Sequence, residues 1–111
     1  MTTTIRTMIF QKMDAYVLAK ALAKCVHEAT IVDAELRDQA RRASKSCFLQ
    51  LAEGLASPSA ANKRRYLAMA NGSLFETAAA LDLADALGAE VSEARALAAR
   101  VYALLGGLMR R

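Results

Sequence analysis

The 111-residue chain is short of almost everything that breaks a helix or builds a reactive centre. It has one proline, five glycines, two cysteines, one histidine and no tryptophan. So little proline and glycine excludes collagen and low-complexity disorder, and two cysteines cannot make a disulfide-rich scaffold. Long apolar runs are also missing. Beyond the N-terminus the longest stretch without a charged residue is Tyr66 to Phe75, half of the ~20 residues that a membrane span needs. Residues Met1 to Arg6 lack the basic start, apolar run and small-residue cleavage site of a secretory leader. The expectation is a cytoplasmic protein with no membrane partner.

Reactive chemistry is equally sparse. A structural zinc site takes four Cys or His ligands, and Cys25, His27 and Cys47 are the only three such residues. A di-iron bundle needs two Glu-x-x-His units, and the chain has none. No glycine-rich phosphate loop of the common spacings is present. His27 reads as a surface helix residue. The expectation is therefore no metal, no cofactor, no catalytic residues and no enzymatic activity.

What is present is alanine, 25 residues of it, in a chain that is 55% hydrophobic. Alanine is the best helix former, and the length suits one domain. Apolar residues recurring every three or four positions predict four helices. The first runs from about Ile9 to Ala29, with a stripe of Leu18, Leu22, Cys25 and Ala29 widened by Val17 and Ala21; residues 1–8 are expected to be irregular. Thr30 or Asp33 can cap the second, whose stripe is Leu36, Ala40, Ala43, Cys47 and Leu51 and which is expected to end near Glu53, with Gly54 as its left-handed terminator. Pro58 marks the clearest loop. Ser57 or Ser59 can cap the third helix, Ala60 to Leu87, which carries Leu67, Ala70, Leu74, Thr77, Leu81 and Ala84 and ends at Gly88. Ser92 is the expected cap of the fourth, with Ala94, Leu97, Val101, Leu104, Leu105 and Leu108 inward. Short connections make sequential helices antiparallel neighbours. The fold class is all-α, an up-down-up-down four-helix bundle forming a single domain over residues 1–111.

Folding each hairpin about its loop gives further expectations. Cys25 and Cys47 fall on the order of 13 Å apart along the axis, too far for a disulfide, so both are expected as free, buried thiols. Arg41 and Arg42 fall level with Asn71 and Gly72, within reach of Glu76. Gly72-Ser73 falls opposite Gly106-Gly107, which suggests a tight helix crossing.

The same geometry splits a formal net charge of +4. One end gathers Arg6, Lys12, Lys45, Lys63, Arg64, Arg65, Arg110 and Arg111 against Asp14 and Glu53, a local sum of +6. The other end sums to −5 and the middle to +3. Lysines and arginines that neutralise phosphates release counterions, so Lys63, Arg64, Arg65, Arg110 and Arg111, supported by Lys12 and Lys45, are the candidate nucleic-acid contacts. Phe10, Tyr16, Phe48 and Tyr66 fall toward that end, and aromatic rings can stack on bases. Apolar residues also stand off the inner stripes: Phe48, Leu49 and Ala52 on helix 2, and Ala68, Phe75, Ala79, Leu83 and Ala86 on helix 3. One small bundle cannot cover them all, and exposed apolar patches mark interfaces. Self-association in a closed, symmetric form is expected.

Two stretches resemble a known family. The first is Gln39-Ala40-Arg41-Arg42-Ala43-Ser44-Lys45-Ser46 with Leu51-Ala52-Glu53-Gly54. The second runs from Arg65-Tyr66-Leu67 through Asn71-Gly72-Ser73-Leu74-Phe75-Glu76 to Leu87-Gly88. Together they are similar to the signatures of the bacterial four helix bundle protein family, across roughly residues 10–109. That family includes proteins encoded in intervening sequences of large-subunit ribosomal RNA genes and the accessory variability proteins of diversity-generating retroelements. The chain departs from the pattern at Gln50, where Asn is usual, at Leu51, where Ile is usual, and at Ile31-Val32, where Phe-Pro is usual. The resemblance implies an antiparallel four-helix bundle that assembles as a homopentamer. In the retroelement members a basic ring surface binds nucleic acid and docks a reverse transcriptase. The leading functional expectation is a non-enzymatic ring that binds RNA or DNA through its basic pole. The alternatives are an adaptor that docks a partner protein without a nucleic-acid role, and a small-molecule site in a central channel. Arg41, Arg42, Ser46, Glu53, Gly72, Ser73 and Glu76 read as structural, with an Arg–Glu pair setting the register of helices 2 and 3.

Overall fold

The structure is a computed structural model that describes the backbone of residues 3–110 and the side chains of residues 12–110. Four helices follow one another: α1 (Thr3–Glu28), α2 (Ala34–Ala56), α3 (Ala60–Ala86) and α4 (Ser92–Met109). No strand occurs among the described residues. Each helix packs closely on two others, α1 on α2 and α4, and α3 on α2 and α4, while the backbones of the diagonal pairs stay apart among the described residues. Cross-helix partners fix the directions. Tyr16 meets Phe48, Gln50 meets Ser73, and Asp82 meets Arg95, so residue numbers rise on one helix as they fall on its neighbour. This is the antiparallel four-helix bundle that the sequence predicts.

The helix ends show where local chemistry was readable and where it was not. Asp33 caps α2 by accepting from the Leu36 N–H at 3.0 Å, and Ser59 caps α3 by accepting from the Asn62 N–H at 3.3 Å. Gly88, at φ +98°, is the left-handed residue after α3. Three expectations need correction. Helix α1 begins at Thr3 rather than near Ile9, because adding a residue to an existing helix costs far less than starting one and threonine loses only a few tenths of a kcal/mol to alanine. Helix α2 runs through Gly54 to Ala56, so Gly54 does not terminate it. Ser92 is not the cap of α4; it is the first helical residue, and the Glu90 carboxylate accepts from both its N–H and its hydroxyl. That contact holds the Glu90 carboxyl below its ordinary range.

The core is built of small and branched side chains: Ala15, Ala19, Leu22 and Val26 from α1, Ala40, Cys47 and Leu51 from α2, Leu67, Ala70, Leu74 and Leu81 from α3, and Ala94, Val101 and Leu105 from α4. The expected stripes of α2, α3 and α4 all face inward. On α1 the inner face is rotated: Leu22 is central as expected, Leu18, Cys25 and Ala29 are only half-buried, and Val17 is exposed. Val17, Leu18, Ala19, Ala21 and Leu22 put apolar side chains at several angles of α1, so its periodicity alone could not choose the face. Both cysteines are free thiols, Cys47 buried and Cys25 half-buried.

The anticipated glycine crossing between α3 and α4 does not exist. A Cβ on Gly72 would meet nothing within 4 Å, and Gly106 and Gly107 approach only the Arg110 guanidinium. The close approach lies instead between α2 and α3, where a Cβ on Gly54 would stand 3.0 Å from Leu67 Cδ2 and 3.3 Å from Tyr66 Cβ. One turn back, Gln50 reaches across to Ser73 at 2.7 Å, and with its amide nitrogen toward α3 it donates to the Met69 carbonyl at 3.0 Å.

Candidate basic pole

The contacts between Gly54 and Leu67 and between Gln50 and Ser73 set the α2–α3 register, and they slide α3 by more than a turn from its expected height. Residues at the end of α2 stand level with Arg65, so the first turn of α3 projects past α2. That turn carries Lys63 and Arg64. Lys63 lies beside Lys12 of α1. Partial burial and then the like charge of Lys63 hold the Lys12 amine below its ordinary range. Arg64 and Arg65 are exposed, and the Arg65 guanidinium lies 5.2 Å from the ring centre of Tyr66. Arg110, exposed at the end of α4, curls back over Gly106 and Gly107.

Five of the seven candidate contacts are therefore gathered at one end: Lys12, Lys63, Arg64, Arg65 and Arg110. Lys45 is not. It is exposed on α2, eleven residues before Ala56, which at ~1.5 Å per residue is on the order of 16 Å from the helix end. The error came from assuming that helices 2 and 3 turn symmetrically about their loop. Arg111 lies outside the described residues, as do the side chains of Arg6 and Phe10. The other aromatics are already engaged: Tyr16 and Phe48 pack on each other with centroids 5.0 Å apart, and Tyr66 lies half-buried against Gly54.

The shifted register also removes the expected Arg–Glu pair. The Arg41 Nη2 donates to the His27 carbonyl at 2.9 Å, capping an unpaired carbonyl near the end of α1, and Arg42 donates to Gln39 at 3.1 Å. Glu76 forms no ion pair among the described residues. The residue that locks α2 to α3 is Gln50, which sequence reasoning treated only as a departure from the family pattern. A polar side chain on the flank of an apolar stripe was the available signal.

Among the described residues, the ion pairs that form are all at the opposite pole. Lys24 meets Glu28 at 3.8 Å, Arg37 meets Asp38 at 3.7 Å, and Arg95 bridges Asp82 and Asp85 at 3.1 Å each. Among the described residues, none of the five cations of the basic pole has a carboxylate partner. No group of three or more His, Cys, Asp or Glu side chains is arranged to hold a metal ion among the described residues. No described helix is long and apolar enough to cross a membrane.

The family model described as 23S rRNA-intervening sequence protein matches residues 11–101. The chain belongs to that family. No curated protein matches its sequence. For this intervening-sequence family member the matched span contains Lys12, Lys63, Arg64 and Arg65 but stops short of Arg110. The clustered part of the pole contributed by α1 and α3 is thus inside the family's common length, and the contribution from α4 is outside it. The matched span also includes Gln50, Gly54 and Ser73, the contacts that set the register on which the cluster depends.

Proposed function

We propose that this protein is a non-enzymatic, ring-forming bundle that acts as one domain in the cytoplasm and binds RNA or DNA phosphates through its basic pole. The observation that carries the reading is the segregation of ion pairs. Every cation placed at the acidic end, Lys24, Arg37 and Arg95, has a carboxylate partner, whereas Lys12, Lys63, Arg64, Arg65 and Arg110 have none among the described residues. Holding Lys12 beside Lys63 costs free energy that a bound phosphate would return. The ribosomal RNA in the family's name supports RNA as the first ligand to test, and the homopentamer implied by the resemblance would multiply the field of the pole.

Fluorescence anisotropy with a labelled single-stranded RNA, and a DNA of the same sequence, tests the reading. Binding is expected at ~50 mM salt, where phosphate contacts are strongest, and changing Lys63, Arg64 and Arg65 to Glu abolishes it. No binding at that salt by the wild type sinks the proposal. A second reading, an adaptor that docks a partner protein, is favoured by an exposed apolar groove of about 670 Å³ between α3 and α4, lined by Phe75, Ala79, Ala99 and Tyr102. It predicts a protein partner that stays bound after nuclease treatment and after the same triple substitution.

A further inference from the structure

The end of the bundle opposite the basic pole carries two loops, and both are pinned. In the loop between α1 and α2, Ile31 is buried, Asp33 caps α2, and the Arg41 guanidinium holds the His27 carbonyl. In the loop between α3 and α4, Gly88 turns the chain, the Ala89 N–H donates to the Ala84 carbonyl at 2.9 Å, and Val91 is buried. Each loop thus sends one apolar side chain inward as an anchor and leaves another outside. Val32 is 90% exposed and Leu87 66%, the two most exposed large apolar side chains among the described residues. Backbone bonds fix the segments that carry them, so these side chains are held out by the fold and not by fraying.

Both line a single groove of about 580 Å³ between the two loops. Ala29, Leu36, Ala84 and Ala89 extend its apolar surface. Glu28, Asp33 and Glu90 border it, and no lysine, arginine or histidine lines it. Asp33 and Glu90 have no cation partner among the described residues, and Glu28 has only the exposed Lys24 at 3.8 Å, a pair worth little in solvent. Asp33 and Glu90 also stand at the starts of α2 and α4, where they offset the positive ends of those helices. The groove is therefore apolar inside and negative around its edge.

We infer that this groove docks a short basic segment of a partner protein, one in which leucine-sized side chains stand between lysines or arginines. A segment without cations would leave the bordering carboxylates uncompensated, and an acidic one would be repelled. A cation alone would leave Val32 and Leu87 uncovered. A basic and apolar segment answers both features, and because the loops are already fixed it meets little ordering cost on the side of the bundle. The site lies at the far end of a bundle 48 Å long from Lys63, Arg64 and Arg65. One chain can thus hold a polyanion at one end and a basic segment at the other, and docking does not depend on RNA binding.

Fluorescence anisotropy with a labelled synthetic peptide of alternating lysine and leucine tests the inference. The peptide is expected to bind, more weakly as salt rises. Replacing its leucines by serine, or its lysines by glutamate, abolishes the signal. Val32→Ser and Leu87→Ser should each weaken binding about tenfold, since each removes apolar area that the peptide covers. Both positions are exposed, so circular dichroism and melting should match the wild type; Val32→Thr and Leu87→Gln serve if either variant melts early. Phe75→Ala, in the separate groove between α3 and α4, and the Lys63, Arg64 and Arg65 to Glu variant should bind like the wild type. No binding at ~50 mM salt, or equal binding by wild type, Val32→Ser and Leu87→Ser, overturns the inference. If only the variant with the reversed basic pole binds peptide, the groove is filled in the wild type by the basic pole of a second copy, and a partner segment is the wrong occupant.

Discussion

Cys47 is a thiol held where a thiolate cannot be solvated. It is fully buried between Ala43 and Leu51 in the core, and burial pushes its ionisation up to about 11. In the unfolded chain the thiol ionises near its ordinary value of 9.0. Between those two values the native state keeps a proton that the unfolded state has released, so stability falls as pH rises. The contribution is complete below pH 9 and is lost progressively toward pH 11, about 3 kcal/mol in all. Urea unfolding under reducing conditions at a series of pH values should show this alkaline slope, and Cys47→Ala should show a shallower one. The lysine pair acts in the opposite sense. Lys12 has its native value depressed by burial and by Lys63, so its unfolded form binds more protons below the ordinary lysine range and stability there rises with pH. Comparing wild type with Cys47→Ala at each pH cancels that term. In the native state Cys25, half-buried and also raised by burial, should react with a thiol reagent well before Cys47.

At the scale of the helices, glycine separates what the pattern could tell from what it could not. Gly88 was readable as a terminator because a left-handed residue follows an apolar stripe that stops. Gly54 looked the same in sequence, yet it is a contact residue inside the last turn of α2, and only the approach of Leu67 distinguishes the two. Gly72 looked like a crossing point and faces open space. These two helical glycines should therefore respond oppositely to alanine. Gly72→Ala gains about 0.5–1 kcal/mol, since glycine costs that much inside a helix and nothing obstructs the methyl group. Gly54→Ala gains the same propensity but forces Leu67 and Tyr66 aside, and overpacking of that kind costs ~1–3 kcal/mol, for a net loss. Urea midpoints of the two variants check both signs. The inner stripes of α2, α3 and α4 were legible because their leucines and alanines keep the helical period, even though Leu49, Phe75 and Leu83 stand exposed off the stripes. On α1 both sides of the stripe are apolar, so the face was ambiguous. The basic pole was legible as a gathering of charge, and Lys63, Arg64, Arg65, Arg110 and Lys12 are found together. Lys45 was misplaced because axial offset between two helices is set by side chains such as Gln50 and Gly54, and loop length carries no record of it.

For the whole molecule, polarity and assembly are coupled through salt. If copies assemble side by side in the same direction, like poles come together at a spacing comparable with the 19–24 Å width of one bundle. The screening length is ~30 Å at 0.01 M ionic strength and ~10 Å at 0.1 M. Repulsion between neighbouring basic poles is thus felt at the lower salt and is mostly screened at the higher. Self-association is expected to strengthen as salt rises across this range. RNA binding must go the other way. If the five clustered cations of one copy each neutralise a phosphate, the logarithm of the binding constant falls with the logarithm of salt at a slope of about −3.5 for a single strand. That is roughly a 100-fold loss between 50 and 200 mM, and Lys63→Gln should reduce the slope by ~0.7. A polyanion laid across aligned poles removes the same repulsion that salt removes, so at 0.01 M a short RNA should raise the assembled mass per protein chain. Antiparallel pairing makes the reverse prediction, because opposite poles attract and salt would dissolve the complex. Sedimentation velocity of protein alone and with RNA, at two salt concentrations, distinguishes these outcomes: assembly that weakens from 0.01 to 0.1 M salt would show that the bundles do not stand in parallel.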